Sequence, residues 1–151
     1  MTERSIVHGT FTVHRRYPHP VSRVFSAWSK PEFKRQWFGS PDPANASAVF
    51  EFREGGREYN ADRMGADLYT FDVRYHDIVP DSRIVYTYEM TMNGQRISVS
   101  LATVSFTVEA AGTHLTVRED GAFLDGLDAV QQREAGTNYL MDQLGAWLDR
   151  G

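Results

Sequence analysis

The longest run of apolar residues at helical spacing lies at the end of the chain. Between Asp128 and Leu148, the residues Val130, Leu140, Met141, Leu144, Trp147 and Leu148 recur at intervals of three and four, with Gly136 and Thr137 on the same side. This spacing predicts a multi-turn helix with one buried face. Most of what precedes it reads with a period of two. Phe11, Val13, Arg15 and Tyr17 alternate with Thr10, Thr12, His14 and Arg16, a half-buried strand closed by Pro18 and Pro20. Val21, Val24, Phe25 and Trp28 then fall on one face of a short helix. Pro31 starts a second, over Glu32 to Phe38, that must bury Phe33, Trp37 and Phe38.

Gly39, Pro41 and Pro43 predict a loop, and from Ala48 the period of two returns with Phe50 and Phe52. Gly55-Gly56 turns the chain into a strand holding Tyr59 and Ala61. Tyr69, Phe71, Val73 and Tyr75 share a parity in the next strand, which ends at Ile78-Val79-Pro80; Ile84, Tyr86, Tyr88, Met90 and Met92 share one in the strand after that. Asn93-Gly94 predicts a two-residue hairpin turn. In the returning strand Ile97, Val99 and Leu101 lie on one parity and Val104, Phe106 and Val108 on the other, which predicts a bulge near Ala102-Thr103. Gly112-Thr113 makes the last turn, and Leu115 and Val117 lead the final strand. The order is therefore strand, two short helices, six antiparallel strands and a long helix, an α+β fold in which a curved sheet of about seven strands wraps the terminal helix.

The chain of 151 residues shows no repeat or low-complexity tract, so residues 1–151 are expected to form a single domain. An apolar fraction of 41% with nine Phe, seven Tyr and three Trp gives more ring surface than packing strictly needs. There is no cysteine, no signal peptide and no apolar run of membrane-spanning length, which predicts a soluble cytoplasmic protein, monomeric or homodimeric, without a membrane span. The net charge of −4 is uneven. Residues 1–40 carry seven Lys and Arg against Glu3 and Glu32, and Arg23, Lys30, Lys34 and Arg35 define a candidate basic face on the first helices. An acidic overall balance and the lack of a recognisable module argue against nucleic acid as a partner.

The run from Arg15-Arg16-Tyr17-Pro18-His19-Pro20 to Ala27-Trp28, followed by Pro31-Glu32 and Gln36-Trp37-Phe38-Gly39, closely resembles the opening of the small proteins similar to the C-terminal domain of the heat-shock-protein ATPase activator. Gly55-Gly56, Val79-Pro80 with Arg83 to Tyr86, and Gly112 to Val117 are similar to later landmarks of that family, so the resemblance runs from about Thr10 to Leu148. The family lies in the START and birch-pollen-allergen-like superfamily. Membership implies a helix-grip fold with a cavity between sheet and C-terminal helix, used across the superfamily for lipids, polyketides, hormones and other apolar molecules. Many relatives carry Gly-Trp where this chain has Gly136-Thr137, so a large ring is missing here from the surface facing the sheet. Either neighbouring aromatics fill the gap or the cavity is larger.

Candidate chemistry is sparse. The five histidines lack the paired spacing of a zinc site, no Gly-rich phosphate loop occurs, and no Gly-x-Ser-x-Gly elbow surrounds Ser98 or Ser100. No catalytic residue, metal or cofactor is therefore assigned. Asp62, Glu89 and Asp120 are expected to face outward, and the hydroxyls of Tyr59, Tyr69, Tyr86 and Tyr88, with Arg57, are the polar groups available to a cavity. Parity predicts a cavity lined by Trp37, Phe38, Tyr59, Tyr69, Phe71, Tyr86, Tyr88, Met90, Val99 and Leu101, faced by Thr137, Tyr139, Leu140 and Leu144 of the helix. Three functions remain open. One is a binding module for a small apolar molecule; the second is a cyclase or hydratase, which would need an acid–base pair in the cavity. The third is a protein-interaction module using the basic face.

Overall fold

The structure is a computed structural model that describes residues 4–38 and 49–151. The expected loop at Gly39, Pro41 and Pro43 and the strand start at Ala48 lie outside the described residues. Strand β1 (Ile6–Tyr17) is followed by helices α1 (Val21–Ser29) and α2 (Pro31–Trp37). Six strands follow: β2 (Val49–Phe50), β3 (Arg57–Met64), β4 (Asp67–Val79), β5 (Arg83–Met92), β6 (Gln95–Glu109) and β7 (Gly112–Leu124). Helix α3 (Val130–Arg150) ends the chain. All seven strands form one antiparallel sheet in the order β1-β7-β6-β5-β4-β3-β2. Four meander connections bring consecutive strands from β3 to β7 together, and β1 closes the far edge on β7. Asn93 and Gly94 both adopt positive φ, 54° and 84°, the backbone that a two-residue turn between right-twisted strands requires.

Register lines up the residues of the concave side in rows across the sheet. Asn60, Phe71, Met90, Ser98 and Phe123 form one row; Glu58, Val73, Tyr88, Ser100, Gly121 and Gly9 form the next. Beyond them come Tyr75, Tyr86, Ala102, Glu119 and Phe11, then Ile84, Val104, Val117 and Val13. Helix α3 crosses this side. Its first residue sits directly on β1, since a Cβ on Gly9 would stand 2.6 Å from Cβ of Val130. Farther along, the Tyr17 hydroxyl donates to the carbonyl of Met141 at 2.7 Å. Thr137, Met141, Leu144 and Leu148 are its buried positions, a spacing of four, three and four that puts them along one stripe. Gly136, expected on that stripe, is exposed.

Helices α1 and α2 plug one end of the fold. Phe25 and Trp28 pack on Phe106 at centroid distances of 5.2 and 6.5 Å, and Trp28 meets Trp37 at 4.9 Å. The indole of Trp37 donates to the carbonyl of Ala27 at 3.0 Å, fixing one short helix to the other. With Val24, Ile84, Val104, Leu115 and Leu144 these residues form a fully enclosed core.

The β6 bulge lies earlier than the alternation of apolar residues suggests. Met90 faces Ser98 while Thr91 faces Arg96, which leaves Ile97 as the extra residue. The parity of β6 therefore changes at Ile97-Ser98, and Ser98, Ser100, Ala102, Val104 and Phe106 all face the concave side. Small serines at two of these positions hid the register.

Candidate functional site

The concave side holds two buried carboxylates. Glu58, 1% exposed, comes from β3 and accepts from Lys34 Nζ at 2.7 Å and from the Tyr75 hydroxyl at 2.5 Å, both through Oε1. Its Oε2 accepts from Asn60 Nδ2 at 2.7 Å. Lys34, projecting from α2, is roofed by rings, with Phe38 at 4.6 Å and Phe50 at 5.4 Å from its ammonium. An ammonium and a carboxylate held this deep are stable only as a pair.

Glu119, 5% exposed, comes from β7. The Tyr88 hydroxyl donates to its Oε1 at 2.5 Å and Arg133 Nη1 donates to the Tyr88 oxygen at 2.9 Å. Arg133 also donates to Ser98 Oγ at 2.8 Å and pairs with Asp128, so the start of α3 is pinned to β5 and β6 through one guanidinium. Burial raises the Glu119 carboxyl above the ordinary carboxylate value, against the opposing pull of Tyr88, Arg133 and a hydrogen bond from Thr137. Burial, reinforced by the Glu119 charge, likewise raises the Tyr88 phenol.

Thr137, 7% exposed, faces the sheet beside Glu119.

Of the residues expected to line a cavity, Trp37, Phe38, Tyr69, Phe71, Tyr86, Tyr88, Met90, Thr137, Leu140 and Leu144 gather on or against the concave side. Four do not. Val99 and Leu101, 39% and 41% exposed, stand on the convex side because of the bulge at Ile97. Tyr59 pairs with Asp72 and lies under the Arg57 guanidinium, which is held by Asp72 at 2.9 Å, so Tyr59 and Arg57 are also convex. Tyr139, 61% exposed, is two residues from both Thr137 and Met141, about 200° around the helix from each.

Asp62, expected outside, shares the concave row of Tyr69 and is half-buried, whereas Glu89 and Asp120 pair with Arg96 and Arg118 on the convex side. Lys34 belongs to the interior and is no part of a basic face.

Glu119 was legible: it continues the parity of Leu115 and Val117 toward Phe123. Glu58 was hidden by the apolar appearance of Tyr59 beside it.

Rings run through the middle of the concave side from Phe38 to Phe71, Tyr88, Tyr86 and Tyr75, with neighbouring centroids 4.6–6.0 Å apart. Toward the turns that join β3 to β4 and β5 to β6 the same side opens, and Asn60, Asp62, Tyr69, Phe71, Met90 and Met92 are only half-buried. Phe38 borders the opening, its ring centroid 5.2 Å from that of Phe71. Among the described residues no three His, Asp or Glu side chains converge as a metal site, and no helix is long and apolar enough to cross a membrane.

A seven-stranded antiparallel sheet curved around a long C-terminal helix defines a helix-grip, START-like module, a fold of the ligand-binding kind. The chain belongs to the family described as Activator of Hsp90 ATPase homolog 1-like protein, whose profile matches residues 18–149. It is similar to an uncharacterised protein of Rhizobium leguminosarum at 41% identity and a TM-score of 0.93, covering 99% of this chain and 100% of that one. The Mll3558 protein of Rhizobium loti is also 41% identical, with a TM-score of 0.88 over 95% of this chain and 99% of the other. CalU16 from Micromonospora echinospora shares the fold at 18% identity and a TM-score of 0.67, over 98% and 86% of the two chains. A search of curated proteins found no match.

Proposed function

We propose that the protein binds a small, mainly apolar molecule at the open end of the concave side, between β3–β5 and α3. The observation that carries this reading is the half-buried group of Phe38, Phe71 and Met90, which lies beside a fully enclosed core yet is not itself enclosed. Rings and methionine offer a surface that adapts to varied apolar shapes. On the same side Asn60, Asp62 and Tyr69, half-buried, offer polar groups that can orient a ligand. Both buried carboxylates spend their hydrogen bonds within the protein, which favours binding over acid–base catalysis.

The reading is tested by titrating the protein with an uncharged environment-sensitive dye and with a medium-chain fatty acid. Micromolar dissociation constants are expected, about −8 kcal/mol. Met90→Trp, which fills the opening, should weaken binding at least tenfold, whereas Val99→Trp on the convex side should leave it unchanged. Equal effects of the two substitutions would remove the site from the concave side.

A further inference from the structure

A second recognition surface lies on the outside of the fold, where α1, α2 and the last turns of α3 meet. Here a depression of about 690 Å³ is lined by Arg23, Phe33, Arg35, Trp147, Arg150 and the backbone of Gly151, with no Asp or Glu side chain in its wall. Its centre is a stack of rings and guanidinium: Phe33 and Trp147 have centroids 5.2 Å apart, and Arg23 lies 4.1 Å from the Trp147 centroid and 5.5 Å from that of Phe33. Lys30 adds a further cation 5.4 Å from Phe33.

These cations differ from most others in the chain. Arg4, Arg15, Arg16, Lys34, Arg53, Arg57, Arg83, Arg96, Arg118 and Arg133 each pair with a carboxylate, whereas Arg23, Lys30, Arg35 and Arg150 form no ion pair among the described residues. Arg74 also forms no ion pair among the described residues but donates to the Gly55 carbonyl on the sheet, whereas these four stand on or beside the helices around one groove, in a protein of net charge −4. Like charges around one groove repel one another, and an anionic partner relieves that repulsion. Tryptophan and arginine are also the residue types that dominate binding energy at protein interfaces.

We infer that this groove binds an acidic peptide segment of a partner protein, with carboxylates on Arg35 and Arg150 and the peptide lying over the Arg23–Trp147–Phe33 stack. The concave shape suits a narrow extended chain better than a flat bilayer surface, which would be met by protruding cations. This surface is separate from the opening between sheet and α3, so each site can fail without the other.

The test is fluorescence anisotropy of labelled hexaglutamate and hexalysine against the purified full chain. Binding of hexaglutamate that weakens steeply between low and physiological salt is expected, with none for hexalysine. The double variant Arg35→Glu/Arg150→Glu should weaken it at least tenfold, and an unchanged melting temperature and unchanged uptake of the uncharged dye would show the fold intact. Three results would overturn the inference: no hexaglutamate binding up to millimolar peptide, equal binding by the double variant, or binding to phosphatidylserine vesicles without binding to hexaglutamate. If the double variant fails to fold, Trp147→Leu provides the second reading, since loss of the stacked ring must weaken hexaglutamate binding several-fold; undiminished binding there also overturns it.

Discussion

The two ends of the concave side are built from the same strands and behave oppositely. At one end Ile84, Val104, Leu115 and Leu144 are wholly enclosed, because α1 and α2 cap the sheet and α3 lies across it. At the other, Phe71, Met90 and Met92 continue the same strands into a half-buried surface. Between the two ends stand the polar clusters of Glu58 and Glu119. The difference teaches that apolar parity alone does not define a core: what covers the strand decides whether an inward ring is packing or wall.

The largest effects should come from the boundary itself. Lys34→Ala strands the Glu58 carboxylate in the interior and should cost about 3–5 kcal/mol in urea denaturation, whereas Lys34→Met combined with Glu58→Leu should recover most of that loss. A double variant no better than the single one would mean that the pair organises the boundary in a way that apolar packing cannot replace. Next in size is the contrast between the ends. Leu144→Ala, in the enclosed core, should cost about 2–5 kcal/mol, and Met90→Ala at the opening should cost well under half of that, because Met90 already faces solvent in part. Equal losses would erase the distinction between core and wall.

The sequence disclosed the architecture well and the site partly. Long alternating runs such as Tyr69 to Tyr75 and Ile84 to Met92, punctuated by Asn93-Gly94, fixed β4, β5 and their hairpin, because the signals of propensity, parity and turn agree there. The failures have two physical origins. A bulge reverses parity at a single residue, and its position at Ile97 is written only in the pairing with β5. Val99 and Leu101 looked like wall residues, and Ser98 and Ser100 looked like surface, when the reverse holds. Charged residues were assigned outward by type, which misplaced Lys34 and overlooked Glu58. Such groups enter a core only with partners from distant segments, and that pairing is invisible one residue at a time.

Two finer predictions separate the roles of the groups around Glu119. A carboxyl whose folded value is raised binds more protons in the folded state than in the unfolded one, so its contribution to stability is complete below the unfolded value and is lost as pH rises through the folded one. Glu119→Gln removes that dependence while keeping an oxygen to accept from Tyr88. The melting temperature of the variant, measured relative to the wild type from pH 4 to pH 7, should therefore shift in the variant's favour as pH rises. Thr137→Val should do the opposite. The Thr137 hydroxyl supports the charged carboxylate, so its loss costs little while Glu119 is protonated and about 0.5–1.5 kcal/mol once it ionises. The deficit of that variant should then widen with pH, and in the double variant Glu119→Gln/Thr137→Val the widening should vanish. If the Thr137→Val deficit is the same at both ends of the range, its hydroxyl serves packing alone. Thr137 would then be a plain spacer beside Glu119, and the polar cluster between the two ends would reduce to Tyr88, Arg133 and Glu119.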